Sequence, residues 1–133
     1  MSQNLDLSRR AVAAGFSGRD GTAWVDPEKN WPWRVAGGLI VWDHHAGWPG
    51  GPPACDEGPS IARALPDFRD AATRGVLLQQ VRERWDDPWL CVAWTGVVWI
   101  CVDRHGIGLV PPCRADTETA ALVAALEAAP ERK

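Results

Sequence analysis

Apolar positions along the chain follow two periods. From Asp70 onward the spacing is helical: Leu77, Leu78, Val81 and Trp85 form one stripe, with Arg74, Gln79, Gln80, Arg82 and Glu83 largely outside it. This predicts a helix over Ala71 to Trp85, capped by Asp70 and stopped by Asp86-Asp87-Pro88. Leu122, Val123, Leu126 and Ala129 repeat the spacing and predict a last helix over Thr117 to Ala129, started by Asp116 and ended by Pro130. A short helix is expected over Asp6 to Ala14, with Asp6 as cap and Gly15 as stop, Phe16 folding back on Val12.

Elsewhere the pattern is extended. Trp89 to Trp94 and Val97 to Asp103 read as a hairpin turning at Thr95-Gly96. A two-residue loop pairs Trp94 with Val97, Val92 with Trp99 and Leu90 with Cys101. Cys91 and Cys101 then point to opposite faces. Both faces are apolar, which places the hairpin centrally and covered on both sides. Thr22 to Val25 and Trp33 to Trp42 read as strands, separated by Asp26-Pro27 and Asn30-Trp31-Pro32; Gly37-Gly38 weakens the second or marks a bulge. Residues 43–60 are rich in glycine and proline and read as a long loop. The expected architecture is α+β: a single domain over residues 1–133, a two-layer sandwich with an antiparallel sheet of about four strands and helices packed on it. Residues 131–133 should fray.

Composition sharpens this picture. The chain has nine tryptophans and no tyrosine, 46% hydrophobic and 23% charged residues, and a net charge of −3. Each indole buries a large area and carries one N–H that needs a partner. The negative balance disfavours duplex nucleic acid, whose binders show a basic face. All the basic residues except Lys29 and Lys133 are arginine, which with the high alanine content suggests a GC-rich genome. Met1 to Arg10 contains no apolar leader, and no run approaches the ~20 apolar residues needed to span a bilayer. The expected location is cytoplasmic, with no membrane contact and reduced thiols.

The segment Ala64-Leu65-Pro66-Asp67-Phe68-Arg69-Asp70-Ala71-Ala72 leads a helix into a tryptophan-rich hairpin. The alanine-rich run Ala115 to Leu126 closes the chain. Residues 64–129, and more loosely 1–25, resemble small phage and prophage proteins of the "phage ABA sandwich" type. Arg69 stands where that pattern has a hydroxyl residue, and residues 26–60 depart from it. The resemblance implies fold and phage origin; it brings no catalytic residues and no cofactor.

Several side-chain sets have residue types that could carry chemistry. His44, His45, Cys55 and Cys113 are the candidate zinc ligands, without the Cys-x-x-Cys or His-x₃-His spacing of structural sites. Cys101, Asp103 and His105 have the residue types of a nucleophile triad. A straight strand, however, puts Cys101 and His105 about 13 Å apart, against about 3 Å for a hydrogen bond. No Gly-Lys-Ser/Thr phosphate loop is present. No acidic residue lies inside an apolar segment that would raise its pKa. The remaining candidate is an aromatic binding surface formed by Trp31, Trp33, Trp48, His44 and His45 around the 43–60 loop. The expected function is therefore non-catalytic binding of a protein partner, a host or defence factor. Alternatives are stacking on single-stranded nucleic acid or carbohydrate, and a small structural zinc protein. Edge strands at Thr22–Val25 or Trp33–Trp42 would allow a homodimer.

Overall fold

The computed structural model describes residues 2–43, 58–109 and 113–129 of the protein. Helix α1 spans Ser2–Ala13 and so begins ahead of Asp6, which lies within it and approaches Arg9 at 3.8 Å instead of capping. Its end follows the sequence: Gly15 takes a φ of +99°, and the Gly15 and Phe16 N–H groups donate to Val12 and Ala11 carbonyls at 3.0 and 2.8 Å. Phe16 then turns into the core against Phe68, ring centroids 5.4 Å apart, and not onto Val12, which is exposed.

Strands β1 (Ala23–Val25), β2 (Pro32–Ala36), β3 (Leu39–Trp42) and β4 (Leu65–Pro66) form an antiparallel sheet in the order β3-β2-β1-β4. The segment expected as one strand, Trp33 to Trp42, is two. Gly37 and Gly38 have φ of 60° and 78° and form the tight turn that sets Ala36 opposite Leu39. The register places Trp24 opposite Trp33 and Trp33 opposite Trp42, so three indoles run across one face. Trp33 and Trp42 meet edge to face at 5.5 Å, with Ala64 and Ile61 packed against them. Ile61 comes from the short helix α2 (Gly58–Arg63), which claims the last residues of the stretch expected to be loop.

Two carboxylates are buried beside this sheet. Asp26 is fully buried and accepts two bonds of 2.7 Å from the Arg63 guanidinium, tying α2 to the β1–β2 turn. Asp43 accepts from Arg34 Nε at 3.0 Å; Arg34 also donates to the Gly21 carbonyl at 2.6 Å and to Asp70 at 3.3 Å. Both carboxylates are buried at strand ends and not inside an apolar run. Asp26 is held by an arginine 37 residues away, which a linear reading cannot pair, and Asp43 by one across the β2–β3 hairpin, nine residues away.

Helix α3 (Ala71–Arg84) starts where Asp70 predicts, with the carboxylate accepting from the Thr73 N–H at 3.0 Å and hydroxyl at 2.8 Å. Gln80, expected outside the apolar stripe, is buried and exchanges bonds of 3.1 and 2.7 Å with the Ser17 backbone. Helix α4 (Glu118–Ala128) is capped by Thr117, not Asp116. The tryptophan hairpin belongs to a second sheet of β5 (Cys91–Trp94), β6 (Trp99–Val102) and β7 (Arg114–Ala115), ordered β5-β6-β7. Its register is Trp94 opposite Trp99 and Val92 opposite Cys101, two residues from expectation. The Thr95 hydroxyl is the cause: it accepts the Val97 and Val98 N–H groups at 3.3 and 3.1 Å and widens the loop to Thr95–Val98. The face assignment survives, because a two-residue shift preserves it.

The main core gathers Leu77, Val81, Leu90, Cys101, Leu122 and Leu126 between α3, α4 and the second sheet. Trp85 adds a 2.8 Å bond from its indole N–H to the Ala125 carbonyl. The chain is thus an α+β fold whose four-stranded antiparallel sheet matches expectation, with the hairpin in a sheet of its own. No helix among the described residues is long and apolar enough to cross a membrane.

Candidate binding surface

The tryptophans divide by sheet. Trp33, expected to be displayed, is only 1% exposed and centres the first sheet's aromatic row. It alternates with its neighbours on a strand, and its inward parity faces Trp42 and Ala64. Trp31 is half-buried against the same cluster, with Lys29 Nζ 5.2 Å from its ring centre. His44, His45, Trp48 and Cys55 lie outside the described residues. Of the expected edge strands, β1 is internal, flanked by β2 and β4; β3, the second half of Trp33–Trp42, forms the edge.

The thiol and carboxylate sets are engaged separately. Cys113 is buried, and burial pushes its thiol pKa up. Among the described residues no group of three or more His, Cys, Asp or Glu side chains is placed to hold a metal. Cys101 Sγ donates to the Ala121 carbonyl at 3.3 Å, and burial, with smaller contributions from Cys113 and Cys91, raises its pKa to about 12. That opposes the thiolate a nucleophile needs. Asp103 accepts the Ile107 N–H at 3.0 Å and the His105 N–H at 2.8 Å, and these bonds lower its pKa. It closes a turn and does not orient an imidazole.

What the molecule does display lies on the second sheet. At the hairpin tip Trp94 is 53% and Val97 80% exposed; Trp94 leans on Trp99, ring centroids 5.3 Å apart. At the hairpin base Trp89 is 70% exposed and Ile107 stands exposed in the following turn. The nearly buried Asp87 joins the two base loops, accepting the Trp89 N–H at 3.0 Å and the Arg104 N–H at 3.1 Å. Trp89 is therefore held out by a hydrogen-bonded loop and does not hang from a slack one. No charged residue occurs from Trp89 to Val102. The hairpin was expected to be covered on both sides, but Cys91, Trp94 and Val97 are open. A usable signal was present for Cys91: α3 and α4 offer apolar stripes for one sheet face, and a hairpin apolar on two faces has one left over, whereas Trp94 shares the covered face with Trp99 and Cys101 and is open because it stands at the tip.

Comparisons with protein-family models, with curated proteins and with solved structures found no match.

Proposed function

We propose that the protein is a non-catalytic binding domain that engages a protein partner through Trp89, Trp94 and Val97 of the second sheet. The observation that carries this is the exposure of two indoles on rigid turns of a charge-free hairpin. Rigid, amphipathic aromatic side chains give the most contact area for the least ordering entropy, and they dominate interface energetics. This moves the surface expected around Trp31, Trp33 and the 43–60 loop to the opposite sheet. Phage or prophage origin, a cytoplasmic location and a host or defence factor as partner remain part of the proposal, supported by the resemblance over residues 64–129.

The test is capture of host proteins on the immobilised domain, comparing wild type with a Trp89→Ala/Trp94→Ala variant of unchanged melting temperature. Loss of a captured protein with the variant is expected; equal capture would sink the reading. The alternative, stacking on single-stranded nucleic acid or sugars, uses the same rings. Binding of oligothymidylate that weakens steeply as salt rises would favour it.

A further inference from the structure

We infer that the open edge of β5 is a docking groove for an extended segment of a partner protein, which adds a strand to the second sheet and sends alternate side chains into the cleft between β5 and α3. This rests on the protein-binding reading above and names the form the partner takes. Three observations carry it.

The first is the direction of the ladder. The Cys101 carbonyl accepts the Leu109 N–H at 3.1 Å, on the side of β6 away from β5. Backbone groups alternate sides along an antiparallel strand, so Ile100 and Val102 serve β5 through their partners Ala93 and Cys91. Val92 and Trp94 consequently aim their N–H and C=O groups outward, where no described strand pairs with them. Cys91-Val92-Ala93-Trp94 carries no lysine, proline or bulge of the kind that blunts an edge.

The second is the cleft beside that edge, about 300 Å³, lined by Leu78, Val92 and Leu122 with Arg74 and Glu118 among its walls. Neither Arg74 nor Glu118 is ion-paired among the described residues, although Arg74 Nη1 donates to the Phe68 and Arg69 carbonyls at 2.9 and 2.8 Å and leaves its other guanidinium nitrogens for an added carboxylate. The apolar lining suits alternate side chains of an added strand, and the two charges suit a segment bearing one acidic and one basic residue.

The third is Gly75. It lies inside α3 and lines the same cleft, and a Cβ built there meets nothing within 4 Å. Glycine weakens a helix interior, and no contact among the described residues accounts for it. Its bare backbone leaves the α3 wall open to close approach by another chain. A second copy of β5 is a poorer occupant, because the flanking Leu90 and Thr95 are uncharged and leave Arg74 and Glu118 unmatched.

The experiment selects a displayed library of random peptides on the whole protein and counter-selects on Gly75→Leu. Enriched peptides should alternate apolar residues and carry both charges. One of them, synthesised, should slow amide exchange of Val92 and Trp94 by roughly tenfold or more and lose about tenfold or more in affinity for Gly75→Leu. Gly75→Ala should raise the melting temperature by about 3 °C while weakening the peptide, a combination that a purely structural glycine does not give. No enrichment over the counter-selected variant overturns the groove, as does a wild-type dimer that Gly75→Leu dissociates. Peptides that respond to Trp89→Ala, but leave the Val92 and Trp94 amides and the Gly75→Leu affinity unchanged, also overturn it, while leaving the protein-binding reading intact.

Discussion

The two sheets use tryptophan in opposite ways. In the first, Trp24, Trp33 and Trp42 stand in cross-strand register and close a small core against α2. In the second, Trp99 is half-buried against the main core, but Trp94 and Trp89 face outward. The difference follows from what covers each face. The first sheet is shut by Ile61 and Ala64, with α2 fixed through the Arg63–Asp26 pair. The second receives α4 on the face of Val92, Trp99 and Cys101; Trp94 shares that face but stands at the hairpin tip, and Trp89 lies in the turn before β5, so both stay exposed. A tryptophan count therefore says nothing about display; the supply of covering elements decides.

Four substitutions test that contrast, in order of expected effect. Trp33→Ala should cost about 3–5 kcal/mol through lost burial and a cavity between Trp42 and Ala64, and leave much of the protein unfolded by denaturant titration. A cost comparable to that of a surface change would remove the first sheet's claim to a core. Asp26→Ala should cost about 2 kcal/mol, since it frees the charged Arg63 bonds and uncaps the Glu28 N–H. Loosening should concentrate in α2, visible as faster amide exchange at residues 61–63.

Asp70→Ala should cost about 1 kcal/mol by removing the α3 cap. Desolvation acts to raise the Asp70 pKa, but the Thr73 hydroxyl, the Thr73 N–H and Arg34 together hold it below its ordinary value. A carboxylate depressed in the folded state contributes stability above its unfolded pKa, near 4, and loses it as pH falls through the folded value. The gap between wild type and variant should then narrow in acid denaturation below about pH 4. A gap that widened there would reverse the assignment. Smallest is Trp89→Ala, within about 0.5 kcal/mol of wild type by thermal melting. A fall as large as that of Trp33→Ala would mean that both sheets bury their indoles.

Local signals were legible in the sequence, and distant ones were not. Asp70, Gly15 and the α3 stripe act within a turn or two of chain, and the helices they imply are present. The Gly37-Gly38 pair, expected to weaken one strand or mark a bulge in it, is a hairpin signal once both glycines take positive φ. The β5–β6 register slipped because Thr95 competes for backbone N–H groups that a minimal loop would leave to the ladder. Gln80 and Asp26 were unreadable for another reason: their partners Ser17 and Arg63 are brought up by tertiary packing, while Asp43 meets Arg34 through the β2–β3 hairpin that the single-strand reading missed. The same limit applies to the surface. Trp33 and Trp94 look alike in sequence, each in a short apolar strand; what separates them is that Trp33 stands mid-sheet beneath α2 while Trp94 stands at a hairpin tip, and both placements depend on elements elsewhere in the chain.

Helix α4 touches α1, α3 and all three strands of the second sheet, yet it follows them all in the chain. This has a consequence in time. Residues 14–117 separate α1 from α4, and a ribosome adding about 5–20 residues per second needs roughly 5–20 s to make them. Ala11 waits through all of that interval for the helix that covers it, Leu77 and Val81 through less than half of it, and Cys101 through its last part only. The first sheet, whose strands and α2 all precede residue 67, has its partners in hand much sooner. Birth order thus gives the sheet with buried indoles a head start, and the nascent chain offers a chaperone the face of the second sheet that α4 later covers.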